Sequence, residues 1–346
     1  MSNLAEAKLQ FIWSMFGNEK CLLELEQNLQ QQKLAQAYLF SGPIEVGKFT
    51  TAKDFAKLIL CEQRACGNCA ICQKITANIY PELTVVDELW IEGQQEDLIH
   101  IAQKSNFNQL HRTKTPKAKT DTLGIQDLRE ILRRINVKQS NYQIFLLRNI
   151  ERFTLEAANF FLKTLEEPPA KTIFLLTTNN LAQVLPTIIS RCRVLNFYSV
   201  ATARLKDYLR ENFAQLAPLA HQQILHLALG KPQRALRLAQ DPTHLQEFCT
   251  YFTMLKELFA QPDLATKLQL AEQLTTNKAE LQKFLEVCHY FLRSFLLTRA
   301  RNAQPESRYS AQKLLTIIQN LTETQILIWQ QNVNPRLALE NFLIKI

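Results

Sequence analysis

The sequence predicts an α/β domain followed by an all-α region, and two observations lead to this expectation. Short, continuously apolar runs alternate with amphipathic helical patterns up to about Ser199, and the apolar runs then cease. A glycine-containing loop directly follows the first of these runs, as in α/β domains that bind phosphate groups. Because apolar strands separated by helices favour a parallel sheet, we expect such a sheet with helices on both faces.

Each strand of the expected sheet coincides with one apolar run: 37–42, 83–87, 143–147, 172–177 and 193–197. Between these runs, apolar residues at helical spacing predict a helix over 125–135. A second helix is predicted over 155–167, where Thr154 is a suitable N-cap and Pro168-Pro169 ends the helix.

Helical spacing continues through the rest of the chain and is interrupted mainly by prolines. We therefore expect three domains. They are an α/β domain over 1–199, a small helical domain over 200–240 and a larger helical bundle over 241–346.

Composition limits the classes of protein to which the chain can belong. Its 346 residues are 47% hydrophobic and 21% charged, which is compatible with ordinary buried cores and excludes global disorder. Only seven glycines are present, which excludes a collagen or a glycine-rich low-complexity chain. The sequence contains no long uncharged apolar window and begins without a secretory pattern, so we expect a soluble cytoplasmic protein with no membrane partner. The net charge of +8 fits a nucleic-acid partner or simply a mildly basic surface.

The loop after the first predicted strand matches a phosphate-binding pattern from Gly42 through Gly47 to Lys48. Its glycines allow backbone amides to turn toward phosphate, and the lysine would neutralise terminal oxygens. Phe49 stands where a magnesium-binding Ser or Thr belongs, and Thr50 lies one position late. We therefore expect the loop to keep its shape, with ATP binding an open question and ATP hydrolysis absent.

The acidic residues that complete such a site should follow a later strand, where one binds magnesium and the next activates water. The strand over 143–147 is followed by Arg148 and Asn149 at these two positions. Glu151 is displaced by two residues. This second loss agrees with the first and again predicts no hydrolysis by this chain.

Half of the eight cysteines lie within the short segment 61–72: Cys61, Cys66, Cys69 and Cys72. Four thiolates at this spacing are sufficient for a closed tetrahedral zinc site, whose role would be structural. A redox-labile Cys-x-x-Cys pair or free thiols are the alternatives. A disulfide framework fits less well because no secretory signal is present.

An arginine directly precedes the last predicted strand, in the triplet Ser190-Arg191-Cys192. At the edge of a domain, such a side chain can reach a neighbour's nucleotide and stabilise charge on the transferring phosphoryl group, as an arginine finger does. The alternative is an ordinary surface charge.

The segment at about 88–122 is predicted to be a basic insertion. From Leu98 to Thr120 it contains no acidic residue, but it carries several basic ones: Lys104, Arg112, Lys114, Lys117 and Lys119. A solvated loop without a partner and a nucleic-acid contact both remain open.

Together these motifs resemble the bacterial DNA polymerase III clamp-loader family, within the AAA+ class. The resemblance is carried by QAYLFSGP at 36–43, the cysteine cluster, AANFFLKTLEEPP at 157–169 and SRC at 190–192. It is dense over 34–80 and 125–237 and weaker in the C-terminal helices. It implies an AAA+ αβα domain, a helical lid and a C-terminal collar that joins other subunits.

Within this family the motor subunits, gamma and tau, keep both magnesium motifs, whereas the delta-prime branch often loses them. The residues Phe49, Arg148 and Asn149 therefore resemble the delta-prime branch. Gln233 also differs from the motor subunits, which place a sensing arginine at this position. The resemblance implies a stator subunit that supplies Arg191 to ATP held by an adjacent motor subunit.

The partners implied by the resemblance are gamma or tau motor subunits and a delta-like subunit in a hetero-oligomer. Through that complex the chain would help load a sliding clamp onto primer-template DNA. The family's first cysteine spacer is usually longer than here, which makes Cys61 the ligand that departs most from the pattern.

Two other functions stay open at the level of sequence. A gamma- or tau-like motor that hydrolyses ATP through a divergent site is favoured by Lys48. A zinc-dependent nucleic-acid-binding module outside replication is compatible with the cysteines and the positive charge.

Overall fold

The computed structural model describes residues 11, 13–86, 123–125, 128–129, 142–260, 263–301, 309–329 and 333–346. Contacts divide the chain into two compact units. Unit 1 extends to Val200 and includes Lys231–Gln233, and unit 2 comprises Ala201–Gly230 and Arg234–Ile346. The predicted insertion at about 88–122 lies outside the described residues.

Unit 1 is built on a parallel sheet with the strands β1 (Ala37–Ser41), β2 (Leu83–Val86), β3 (Gln143–Leu147), β4 (Thr172–Thr178) and β5 (Arg193–Asn196). Their order across the sheet is β2-β3-β4-β1-β5, and every neighbouring pair is parallel. In this register Tyr38 lies opposite Leu175 on one side and Arg193 on the other. The carboxyl ends of β1, β3 and β4 therefore meet at one edge of the sheet.

The helices described in unit 1 are α1 (Glu19–Gln30), α2 (Lys48–Leu60), α3 (Ala70–Thr76), α4 (Leu155–Glu166) and α5 (Pro186–Ile189). Helix α4 begins as the sequence predicts, because the Thr154 hydroxyl accepts a hydrogen bond from the Ala157 amide at 3.2 Å. Its last helical residue, Glu166, lies just before the proline pair.

Side chains from the two faces of the sheet enter two separate buried clusters, as the alternation along a strand requires. Tyr38 and Phe40 of β1 pack in one cluster with Phe55 of α2. Leu39 of β1 packs in the other with Phe161 of α4. Both faces are thus covered by helices, which explains why the strands are apolar throughout rather than alternating.

Unit 2 is all-α over its described residues. Its helices are α6 (Thr202–Asn212), α7 (Pro218–Ala228), α8 (Pro232–Gln240, whose first two residues belong to unit 1), α9 (Pro242–Ala260), α10 (Leu264–Thr275), α11 (Lys278–Arg301), α12 (Ala311–Trp329) and α13 (Pro335–Ile344). Several begin at a proline, whose missing N–H would have no partner in the first turn of a helix anyway.

The long helix α11 packs against α9, α10 and α12, and α13 packs against α10 and α12. Aromatic rings fill the centre: Phe259 lies 5.0 Å from Phe291 and 5.1 Å from Tyr309 between ring centres. The buried Tyr309 hydroxyl donates to the carbonyl of Ile346 at 3.2 Å. No helix among the described residues has the length and apolar character needed to cross a membrane.

The predicted fold class, α/β plus all-α, is confirmed, and all strands form where they were expected to within two residues. The last residue of the predicted strand 83–87 and most of the predicted helix 125–135 lie outside the described residues. The boundary at residue 240 between a small helical domain and a larger bundle stays a prediction, because contacts group both in unit 2.

Candidate functional site

The loop between β1 and α2 has a backbone that only glycine accommodates at its two ends. Gly42 has φ +150°, and a Cβ there would lie 2.2 Å from the Phe197 carbonyl oxygen. Gly47 has φ +96°, and a Cβ there would lie 2.8 Å from Met15 Cε. The loop therefore has the tight turn and close approach that the phosphate-binding pattern predicts.

Lys48, the first residue of α2, is buried and bonded to oxygens of its own unit. Its ammonium donates to the carbonyls of Gly42 and Pro43, both at 2.6 Å, and to Asn179 Oδ1 at 2.9 Å. Thr50 lies in the first turn of the same helix and is half-buried. In this arrangement the lysine fastens the loop to the end of β4.

Burial is the main cause that lowers the pKa of Lys48 to about 8; Glu151 opposes this shift, and the nearby cations Lys231 and Arg148 contribute to it. Three basic groups and one carboxylate thus share this end of the sheet. The surplus of positive charge would favour an anion and would disfavour a magnesium ion.

The two residues that replace magnesium-binding groups contact each other. The Arg148 guanidinium carbon lies 5.4 Å from the centre of the Phe49 ring, within the range of a cation–π interaction. Phe49 follows Lys48 in α2, and Arg148 directly follows β3. An aromatic ring and a cation therefore meet at the two positions where the sequence pattern predicts a magnesium-binding hydroxyl and carboxylate.

A polar network connects the ends of β3 and β4 beneath the loop. The Asn179 side-chain amide donates to Asn149 Oδ1 at 2.9 Å and to Glu151 Oε1 at 3.1 Å. The Asn179 backbone amide also donates to Glu151 Oε1, at 3.0 Å. Asn149 has φ +55°, and its backbone amide donates to the Thr177 hydroxyl.

Glu151 therefore belongs to the site, although the sequence places it two residues from the expected position. The short 3₁₀ turn Ile150–Arg152 returns its carboxylate to Asn179. Its second oxygen, Oε2, is buried and has no hydrogen-bond partner among the described residues. No spacing rule would have found this contact, because it depends on the turn.

The segment before α1 packs on the loop, which sequence reasoning missed. Buried Glu26 accepts hydrogen bonds from the Phe11 amide and the Trp13 indole, and buried Asp54 accepts two from Ser14. These contacts place Met15 against Gly47. The sequence feature that could have indicated this packing is an acidic residue on an otherwise apolar helix face: Glu26 in α1 and Asp54 in α2.

Gln233, which the family resemblance aligns with the sensing arginine of motor subunits, contacts the loop through its backbone. Its amide donates to the Glu45 carbonyl at 3.1 Å, both residues lying in unit 1. The next residue, Arg234, is fully buried in unit 2, where it pairs with Glu286 at 3.0 Å and packs on the Tyr290 ring. Arg234 therefore stabilises the packing of unit 2 through Glu286 and Tyr290.

The four clustered cysteines come together as the sequence predicts. The sulfur atoms of Cys61, Cys66, Cys69 and Cys72 all lie within 4.8 Å of one another. Cys61 Sγ is 4.0 Å from Cys66 Sγ and 3.6 Å from Cys69 Sγ. Tetrahedral ligation with Zn–S bonds of 2.3 Å requires sulfur separations of roughly 3.8 Å, so the cluster can hold a metal ion.

Backbone amides of the same segment bond to two of these thiols. The Cys66 sulfur accepts a hydrogen bond from the Cys69 amide at 3.4 Å, and the Cys69 sulfur accepts one from the Cys72 amide at 3.4 Å. The hydrogen bonds from the amides of Cys69 and Asn68 lower the pKa of Cys66 to about 7. A Cys66 thiolate is therefore accessible near neutral pH, whereas burial raises the pKa of Cys72 to about 12.

Arg191 lies just after α5, away from the loop contacts described above. Its guanidinium donates to Glu166 Oε1 at 2.6 Å, to the Thr187 carbonyl at 2.9 Å and to the Ser190 hydroxyl at 3.4 Å. About a third of the side chain, 35%, is exposed. The residue is thus accessible from outside the chain.

A parallel sheet with a phosphate loop after β1, and with polar residues ending β3 and β4, defines a P-loop α/β protein of the AAA+ class. The family model described as "DNA polymerase III, delta subunit" matches residues 17–201. The chain belongs to this family, and thereby to the bacterial clamp-loader proteins.

Curated relatives include both kinds of clamp-loader subunit. The chain is 31% identical over 192 residues to the DNA polymerase III subunit tau of Bacillus subtilis, covering 54% of this chain and 29% of tau. It is 25% identical over 235 residues to subunit delta' of Pseudomonas aeruginosa, covering 66% of this chain and 60% of that protein. It is 28% identical over 190 residues to subunit delta' of Bacillus subtilis, covering 54% and 49%. The matched regions thus span less than two thirds of each relative.

Proposed function

We propose that the chain is a delta-prime-like stator subunit of a DNA polymerase III clamp loader. In this role it occupies a fixed place beside a motor subunit and does not hydrolyse ATP itself. The complex, built with gamma or tau and a delta-like subunit, loads a sliding clamp onto primer-template DNA in the cytoplasm.

The contact between Phe49 and Arg148 is the observation that carries this proposal. A motor subunit needs oxygen ligands for magnesium at these two places. Here a ring and a guanidinium fill them and attract each other, so a metal ion would be repelled by Arg148. Asn149, in the place of the general base, cannot accept a proton from water as a carboxylate does.

Arg191 is the residue through which the chain would act on a neighbour. We propose that it is an arginine finger directed at ATP bound to the adjacent motor subunit. Its partial exposure and its planar guanidinium suit the recognition of phosphoryl oxygens. An arginine finger typically contributes a factor of about 10³ or more to hydrolysis at the site it serves.

The cysteine cluster would hold a structural zinc ion. Support comes from sulfur separations that fit tetrahedral ligation and from the soft thiolate set. Since four protein ligands close the shell, the metal has no open position for water. We expect it to order the segment between α2 and α3 and to take no part in chemistry.

ATPase assays on the reconstituted complex test the stator role. Arg191→Ala should lower ATP turnover at the adjacent site by about 10³-fold while the complex still assembles. Arg193→Ala is the matched control, because Arg193 lies two residues further on and pairs with Glu24 of the same unit. An unchanged rate for Arg191→Ala would remove the arginine finger from the proposal.

A motor role is the competing function, since Lys48 keeps its place and Glu151 reaches Asn179. Turnover of ATP by the purified chain, abolished by Lys48→Ala, would establish it. We expect no turnover, because Glu151 is bonded to Asn179 and Arg148 holds the metal position. Salt-sensitive DNA binding by the chain alone, lost on metal chelation, would instead favour a nucleic-acid-binding module.

A further inference from the structure

Glu166 and Arg191 form an ion pair that links the end of α4 to the segment after α5. The carboxylate oxygen Oε1 lies 2.6 Å from Arg191 Nη2, within the range of a charge-assisted hydrogen bond. Glu166 is the last residue of α4, and half of its side chain, 50%, is exposed. The pair is therefore at the surface, where either partner can exchange for a group from outside.

Both terminal nitrogens of the Arg191 guanidinium are engaged within the chain. Nη2 bonds to Glu166, and Nη1 bonds to the carbonyl of Thr187 and to the Ser190 hydroxyl. These terminal N–H groups include the donors through which arginine binds phosphoryl oxygens in a forked geometry. Glu166 would thus compete with a phosphoryl group for Nη2.

We infer that Glu166 is a positioning residue that acts as a latch on Arg191, and this inference rests on the arginine-finger role proposed above. In the absence of a neighbour's nucleotide, the carboxylate neutralises the guanidinium and holds it against its own unit. When ATP binds at the interface, its terminal phosphoryl group displaces Glu166 from Nη2. This exchange of Glu166 for the phosphoryl group determines how readily Arg191 binds the ATP of the neighbouring subunit.

The size of the effect follows from the exposure of the pair. An exposed ion pair contributes little net stability, because solvent screens both charges. Breaking the ion pair so that ATP can bind the arginine therefore costs little free energy. Removing the pair by substitution should change the apparent affinity for ATP by roughly two- to fivefold. Chemistry after engagement is unaffected, because Glu166 has by then left the guanidinium.

Glu166→Gln in the reconstituted complex tests the latch. The KM for ATP should fall about two- to fivefold, while kcat changes less than that. Glu167→Gln is the matched control, since Glu167 is the next residue, is exposed and makes no ion pair with the described residues. Glu166→Asp, which keeps the charge on a shorter side chain, should return KM part of the way to the wild-type value.

The double variant Glu166→Gln/Arg191→Ala separates the latch from an unrelated structural effect. It should behave as Arg191→Ala alone, because the latch acts only through the arginine. An unchanged KM in Glu166→Gln, a lower kcat, or an effect that persists without Arg191 would each overturn the inference. If Arg191→Ala itself leaves turnover unchanged, the arginine-finger proposal fails first, and the latch fails with it.

Discussion

The guanidinium carbon of Arg148 lies 5.4 Å from the centre of the Phe49 ring. Both residues stand at positions where the sequence pattern predicts magnesium-binding groups. Either change alone would leave half of a magnesium site. A lone Arg148 would face a serine or threonine hydroxyl, and a lone Phe49 would face a carboxylate with no metal between them. Their contact accounts for both departures as a single local replacement.

Restoring both metal-binding groups should restore magnesium-dependent nucleotide binding. We expect the double variant Phe49→Thr/Arg148→Asp to bind ADP about tenfold or more tightly with magnesium than with a chelator, because the ion then bridges protein and phosphate. Each single variant should show no such difference. Isothermal calorimetry on the purified chain measures this, and equal affinities for the double variant with and without magnesium would contradict it.

Cys61 should be needed for metal binding in spite of its short spacing, since its sulfur lies 3.6 Å from that of Cys69. We expect about one zinc per wild-type chain and a content near zero in Cys61→Ser, with a lower melting temperature. Cys249→Ser is the control, because Cys249 is a half-buried thiol in α9 outside the cluster. Elemental analysis checks the prediction, which retention of zinc by Cys61→Ser would refute.

Asp54 should stabilise unit 1 through the segment that carries Met15. Its two oxygens accept from the Ser14 amide at 2.8 Å and from the Ser14 hydroxyl at 3.0 Å, and Lys57 lies 3.3 Å away. In Asp54→Asn one acceptor becomes a donor, so the free energy of unfolding should fall by about 1–3 kcal/mol. Chemical denaturation measures the loss. The exposed Glu62→Gln serves as the control and should change little.

Unit 2 should lose stability on acidification through His289. Burial lowers the pKa of His289 below its usual value, and the partly opposing hydrogen bond to Gln325 is 2.9 Å long. The unfolded chain then binds the proton more readily, so stability is present above about pH 6.5 and is lost as pH falls toward the lowered pKa. His289→Gln should flatten this dependence in denaturation measured from pH 5 to 8. An identical pH slope for the variant would argue against it.

The strands and their burial were predictable because a parallel sheet covered on both faces demands apolar runs, such as 172–177. The cluster of Cys61 with its three partners was predictable because short spacings force thiols together. The place of Glu151 was not, since it depends on a positive φ at Asn149 and on the 3₁₀ turn that follows. The contact of Met15 with Gly47 was not predictable from a local sequence pattern either, because the two residues are far apart along the chain. It depends on the buried carboxylates of Glu26 and Asp54, which hold the segment that carries Met15.

The bonds that Lys48 makes to Gly42, Pro43 and Asn179 have a thermodynamic consequence. In a protein whose loop lysine has no partner until nucleotide binds, bound nucleotide adds to the free energy of unfolding. The melting temperature then rises with the nucleotide concentration. Here the same ammonium is already satisfied by oxygens of the chain itself. We therefore expect the melting temperature of unit 1 to depend less on nucleotide concentration than that of such a protein.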